Sequence, residues 1–158
     1  MSVRGILGLF TVGVAVLVWS TVGGSGQTAV PDEASIREEI LARYHSFEGS
    51  AEEQTWELWQ DYFLRSPSIG TMHGSNGEIG WEAYREGSVA YYQRPPSRRA
   101  AVRFEDLQVY VIDEKTAWVT GDFMNIIGER EMHALFYDTL IKTPDGWRTF
   151  FSYVAPPQ

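Results

Sequence analysis

Cysteine is absent from this 158-residue sequence, which excludes a disulfide framework, a thiolate metal site, a lipid-modified cysteine and a thiol nucleophile. Stability must come from a packed core. Basic residues are scarce: 13 stand against 21 acidic ones, a formal charge of −8, and that field repels a nucleic-acid backbone. Nucleic-acid binding is not expected. No P-loop, dinucleotide fingerprint, G-x-S-x-G elbow or EF-hand loop occurs, so nucleotide-driven chemistry and serine hydrolysis lack their motifs. The three histidines, His45, His73 and His133, form no HxH or HExxH pair, and neither a metal nor a cofactor is expected. What the sequence has in quantity is apolar and aromatic surface. It is 44% hydrophobic and 14% aromatic, with six Trp, eight Tyr and eight Phe, enough for one domain with a real core and too little for two.

Long apolar runs are limited to the start of the chain. Arg4 precedes the run Ile6–Trp19, which is followed by the small-residue stretch STVGGSGQTA, the three-part layout of a secretory signal peptide. The run is shorter than the roughly 20 residues a membrane-spanning helix needs, and Gly24-Ser25-Gly26 offers small residues for a cut before Gln27. The expected organisation is a signal peptide over 1–26, a linker over 27–33 and a domain over 34–158. The mature chain is then exported to a periplasm or beyond the cell. The alternative is an uncleaved N-terminal segment that anchors the domain to a membrane.

Helical signals come first and strand signals later, the order of an α+β fold. Ser35 and Glu38 stand at capping-box spacing, and Ile36, Ile40, Tyr44 and Phe47 recur at helical period until Gly49. Ser50-Ala51-Glu52-Glu53 repeats the cap before a second stripe, Trp56, Trp59, Tyr62 and Phe63. Residues 64–72 read as a short edge strand, residues 73–80 as a Gly-rich turn and residues 81–92 as a third helix. Four runs rich in β-branched and aromatic residues follow, separated by turns at Asp113-Glu114-Lys115, Gly128-Glu129 and Thr143-Pro144-Asp145-Gly146. The pattern predicts a strongly bent, mixed or antiparallel sheet. Three helices pack on its concave face, and its other face is free to pair with a second copy.

Three stretches sharpen this picture: Thr116-Ala117-Trp118-Val119-Thr120-Gly121, the hairpin Asp138-Thr139-Leu140-Ile141-Lys142 through Pro144-Asp145-Gly146-Trp147-Arg148, and the ending Phe151-Ser152-Tyr153-Val154-Ala155-Pro156-Pro157. With the element order they resemble the nuclear transport factor 2-like superfamily over residues 34–157. The likeness is greatest to its SnoaL-like branch and to the association domain of calcium/calmodulin-dependent kinase. The resemblance implies a cone-shaped pocket and a role among isomerases, epoxide hydrolases, polyketide cyclases, dehydratases, or non-catalytic binding and oligomerising domains. The superfamily's ketosteroid isomerases carry an Arg-Tyr pair on the first helix, matched here by Arg43-Tyr44, which implies Tyr44 as an oxyanion donor. Their Asp base has no counterpart in Ser68–His73, so isomerisation would require His73 to take that part.

Asp138, inside the run FYDTL, is a carboxylate that a sheet buries on at least one face, and it must be paired, protonated or turned to a polar cavity. Asp122 in VTGDFMN is similar, and two such acids sharing a cavity can divide the acid and base roles. His73, at the end of the first strand, can exchange a proton near neutral pH. Asp138, His73 and Tyr44 are therefore the candidate catalytic residues. The chain carries more rings than a small cone can bury, so an aromatic-walled pocket is expected, with Trp59, Trp81, Tyr84, Trp118, Phe136 and Asp122 as its contacts. The expected ligand is a small hydrophobic molecule. Arg94, Arg98, Arg99 and Arg103 form a basic cluster, read as a solvated loop or an anion site. Three functions stay open: a ligand-binding domain, an acid–base isomerase, cyclase or hydratase, and a homo-oligomerisation domain. A homodimer through the outer sheet face is compatible with each.

Overall fold

A computed structural model describes residues 32–156; the signal segment, its cleavage point and most of the linker lie outside them. Helix α1 spans Glu33–His45 and is capped by Asp32, whose carboxylate accepts from the Ser35 backbone N–H at 2.8 Å. The cap therefore falls three residues before Ser35, because the Asp side chain reaches that orphan donor first. Ile36, Ile40 and Tyr44 are buried along one face of α1, and each contributes roughly 1.5–3 kcal/mol by leaving water.

The second expected helix shrinks to one turn, α2 (Trp56–Trp59), capped by Thr55. The Ser50 cap forms as an isolated turn, with the Ser50 N–H donating to Glu53 Oε2 at 2.8 Å. A tertiary bond breaks the continuity. Gln54 is buried, donates to the Phe47 carbonyl at 3.1 Å and accepts from Trp59 Nε1 at 2.5 Å. Tyr62 and Phe63, expected on the helix, lie in the segment beyond it.

The sheet contains β1 (Gly70–His73), β2 (Asn76–Ile79), β3 (Ala101–Asp113), β4 (Thr116–Ile127), β5 (Arg130–Thr143) and β6 (Gly146–Val154). Helix α3 (Trp81–Tyr92) connects β2 to the later strands, with a short 3₁₀ turn at Pro96–Arg98. The strand order is β2-β1-β6-β5-β4-β3. β1 runs parallel to β6 and every other pair is antiparallel, so the sheet is mixed. The Gly-rich stretch is thus a strand of its own. β2 takes the edge, and β1, expected there, lies inside between β2 and β6.

Three register shifts interrupt the ladders, one of them between Val111 and Asp113 near the β3–β4 turn. β3 bulges between Glu105 and Gln108, where Asp106 adopts φ 51°. Gly121 lies beside that bulge, and a Cβ there would sit 2.7 Å from the Glu105 carbonyl oxygen, so only glycine lets the backbones approach. The third shift separates Thr139 from Leu140 in the β5–β6 ladder. Helices and the concave sheet face enclose the core, in which the Tyr44 ring meets Phe104 edge-on at 5.1 Å and packs on Phe136 at 5.6 Å.

Candidate functional site

Between α3 and the sheet lies a cavity of about 680 Å³. Its interior is walled by Trp59, Tyr62, Phe63, Phe104 and Phe136, all buried, and Tyr84, Tyr91 and Tyr92 of α3 close one side. Strand period puts them there: on β4, Phe123 and Asn125 face in, and on β6 so do Ser152 and Val154. The buried end carries the polar side chains of Gln54, Thr71 and Ser152, while the exposed mouth carries His73, Asn76 and Glu78. Burial holds the Tyr84 and Tyr92 phenols well above the ordinary tyrosine range, so they stay neutral.

Behind the Tyr62 and Ser152 wall lies Asp138, which is 1% exposed. The Tyr44 and Tyr62 hydroxyls both donate to its Oδ2, at 2.7 and 2.5 Å, and Thr149 Oγ1 approaches the same oxygen at 3.4 Å. Among the described residues Asp138 Oδ1 has no partner. Burial raises the Asp138 pKa above the usual carboxylate range, opposed by the hydrogen bonds from Tyr62 and Tyr44, by the nearby Ser152 and by the charge of Arg43. Burial and the neighbouring acid also push both tyrosines well up, so neither phenol ionises near neutrality.

Arg43, which is not part of the cavity lining, completes the cluster behind the wall. Its guanidinium donates to the Tyr62 carbonyl at 2.6 Å, the Trp147 carbonyl at 3.0 Å and Thr149 Oγ1 at 3.1 Å, and it lies 4.5 Å from the Tyr62 ring centre. Arg43, Thr149, Asp138 and Tyr62 thus form a chain of polar contacts ending at the cavity wall. Chemically, this cluster can store a proton on a desolvated acid and present a polarised hydroxyl to a bound molecule.

The candidates of the sequence divide accordingly. Trp59, Tyr84, Phe136 and His73 line the cavity. Asp138 and Tyr44 are joined by a direct hydrogen bond but sit behind the wall. Trp81 leans on Trp56 and Tyr84, with centroids 5.8 Å away in each case, and is outside the lining. Trp118 and Asp122 are corrected. Both alternate with the inward residues Ala117, Val119 and Gly121, so they fall on the outer sheet face, where Trp118 is 59% exposed. Asp122 and Asp138 therefore share no cavity.

His73 is at the mouth, and burial lowers its pKa while Glu78 acts to raise it. The basic cluster is also not a uniform loop: Arg99 is buried and donates to the Gln54 carbonyl at 2.6 Å. Tyr62, Ser152 and Thr149 are the site residues that pattern alone did not single out.

Solved structures with the same architecture establish the fold. A nuclear transport factor 2-like protein of unknown function from Shewanella oneidensis MR-1 superposes with a TM-score of 0.65 at 11% identity, over 75% of this chain and 98% of its own. A nuclear transport factor 2-like superfamily protein from Salmonella enterica serovar Typhimurium gives 0.61 at 16% identity, over 80% and 94%. The chain has the nuclear transport factor 2-like fold. A candidate dehydratase of the nuclear transport factor 2-like family from Streptomyces avermitilis gives 0.59 at 16% identity, over 75% of this chain and 94% of its own. No family model matches the sequence, and no curated protein does.

Proposed function

We propose that this domain binds a small hydrophobic molecule in its aromatic cavity. The observation that carries the reading is the cavity itself: about 680 Å³, walled by buried rings, with a few polar groups at either end. That composition suits an apolar body oriented by a small number of hydrogen bonds. The neutral dye Nile red tests it by fluorescence. Dye binding should be lost in Asn125→Trp, which fills the cavity, and kept in Trp118→Ser on the outer face. Equal dye binding by both variants and the unaltered protein would contradict the reading.

A second reading adds acid–base catalysis, favoured by the desolvated Asp138 one hydroxyl away from the cavity. Here Tyr62 or Ser152 relays a proton between Asp138 and an enolisable substrate, in an isomerisation, cyclisation or dehydration. The name carried by the Streptomyces protein agrees with that class of chemistry. Deuterium exchange into tetralone, followed by proton NMR, should run faster than in buffer and be lost in Asp138→Asn. Exchange at the buffer rate would remove this reading.

The proposal extends to assembly and location. Tyr110, Trp118, Thr139 and Phe151 are successive register partners across the outer face, and exposed aromatics in such a row support a homodimer. Residues 1–26 would export the chain, a reading supported by their layout in the sequence.

A further inference from the structure

The fixed charge in the cavity lining is of one sign. Among the described residues the lining includes no Lys or Arg, its one carboxylate is Glu78, and its one imidazole is His73. Three arginines stand behind the walls rather than in the lining: Arg94 lies 5.3 Å from the Tyr91 ring centre, Arg99 Nη1 is held by the Gln54 and Tyr92 carbonyls, and Arg43 is held by carbonyls and Thr149, with Arg99 Nε and Arg43 Nη1 left unpartnered among the described residues. Asp138, behind the wall, adds no positive charge in either protonation state.

Glu78 projects from β2 toward α3. A Cβ on Gly87 would lie 3.4 Å from Glu78 Oε1, so the carboxylate rests on bare helix backbone at the cavity mouth. Among the described residues no Lys or Arg comes within 4.0 Å of it. Inside that mouth stand ring faces. Tyr92 is stacked with Trp59 at 6.4 Å and meets Tyr91 edge-on at 5.0 Å, and the negative faces of such rings attract cations.

We propose that the cavity selects an organic cation, with its apolar body against the aromatic walls and its ammonium head at the mouth beside Glu78. The inference rests on the cavity being the ligand site. A carboxylate or phosphate ligand would meet Glu78 and find no Lys or Arg in the described lining, whereas an ammonium gains both the carboxylate and the ring faces.

The test is competition against bound Nile red by three compounds of one shape: naphthylmethylammonium, naphthylmethanol and naphthoate. The ammonium should displace the dye at about a tenfold lower concentration than the alcohol, with naphthoate weakest. In Glu78→Gln the ammonium should fall to within about twofold of the alcohol measured on the same variant. Glu78 is exposed on the edge strand, so this variant should fold. If the dye binds in the cavity and all three compounds compete equally, or if Glu78→Gln keeps the preference, the proposal is overturned while the cavity reading stands. If the dye does not bind there, both fail together.

Discussion

Tyr62→Phe removes one oxygen and leaves every ring contact in place, including the Arg43 guanidinium 4.5 Å from the ring centre. The lost hydroxyl is the one that donates to Asp138 Oδ2 at 2.5 Å, leaving that oxygen Tyr44 at 2.7 Å and Thr149 at 3.4 Å. A buried hydrogen bond between neutral groups is worth about 1 kcal/mol, and one to an ionised partner about 1.5–3 kcal/mol. The sign follows from Asp138, whose pKa is higher folded than unfolded. Below the unfolded value the acid is protonated in both states and its burial costs no stability; as pH rises toward and through the folded value, stability is lost. The Tyr62 bond opposes that upward shift, so removing it should cost more as pH rises. The expected penalty is about 1 kcal/mol near pH 4, growing toward about 2–3 kcal/mol as pH rises through the folded value. Urea unfolding followed by tryptophan fluorescence measures it, with Tyr137→Phe on the outer face, 49% exposed, as the silent control. A Tyr62→Phe penalty that stays flat or shrinks with rising pH would refute the reasoning.

Three further outcomes follow from the same geometry. Gly121→Ala brings a Cβ within 2.7 Å of the Glu105 carbonyl oxygen and 3.2 Å of Phe136. It should lower stability by about 2–3 kcal/mol in thermal unfolding, and an unchanged melting temperature would dismiss the close approach as a constraint. Asp138→Asn abolishes one titration, so the stability of the unaltered protein relative to this variant should decline as pH rises from about 4; a constant difference would mean that Asp138 has no raised pKa. Trp118→Ser combined with Tyr137→Ser should change stability by no more than about 0.5 kcal/mol while abolishing self-association in sedimentation velocity, and a surviving dimer would place the interface elsewhere.

Much of the fold was legible because its signals are local. The α1 stripe has one buried face, and the four long strands are bounded by strong turn residues. α2 was overread because its break depends on Gln54 bonding to Phe47 and Trp59, which helical periodicity cannot register. β2 was missed for the opposite reason. Asn76-Gly77-Glu78-Ile79 is exposed throughout, and pairing with β1 makes it a strand.

The site shows the same division. Asp138 stood out as a carboxylate in an apolar run, but its neighbour Ser152 did not. A ladder counted straight back from the Gly146 hairpin sets Asp138 opposite Phe151; the shift at Thr139/Leu140 moves Ser152 there instead. Trp118 was assigned inward as one of the rings in excess of what the core can bury. Alternation separates two faces without saying which is buried, and here the small Ala117 and Val119 take the inside. Tyr62 was counted with a core stripe, and what distinguishes it is a hydroxyl directed at an acid 76 residues away.

The central claim is that the cavity, rather than the exposed sheet face, receives an apolar ligand. Methionine methyls separate the two. Met132 lines the cavity, Met72 lies opposite Tyr153 on the outer face, and Met124, across from His133, lies on the outer side of β4. Carbon–proton NMR of methyl-labelled protein titrated with naphthylmethanol should shift the Met132 signal and leave Met72 and Met124 in place. A Met72 shift with Met132 unmoved would contradict the account and assign apolar binding to the outer face.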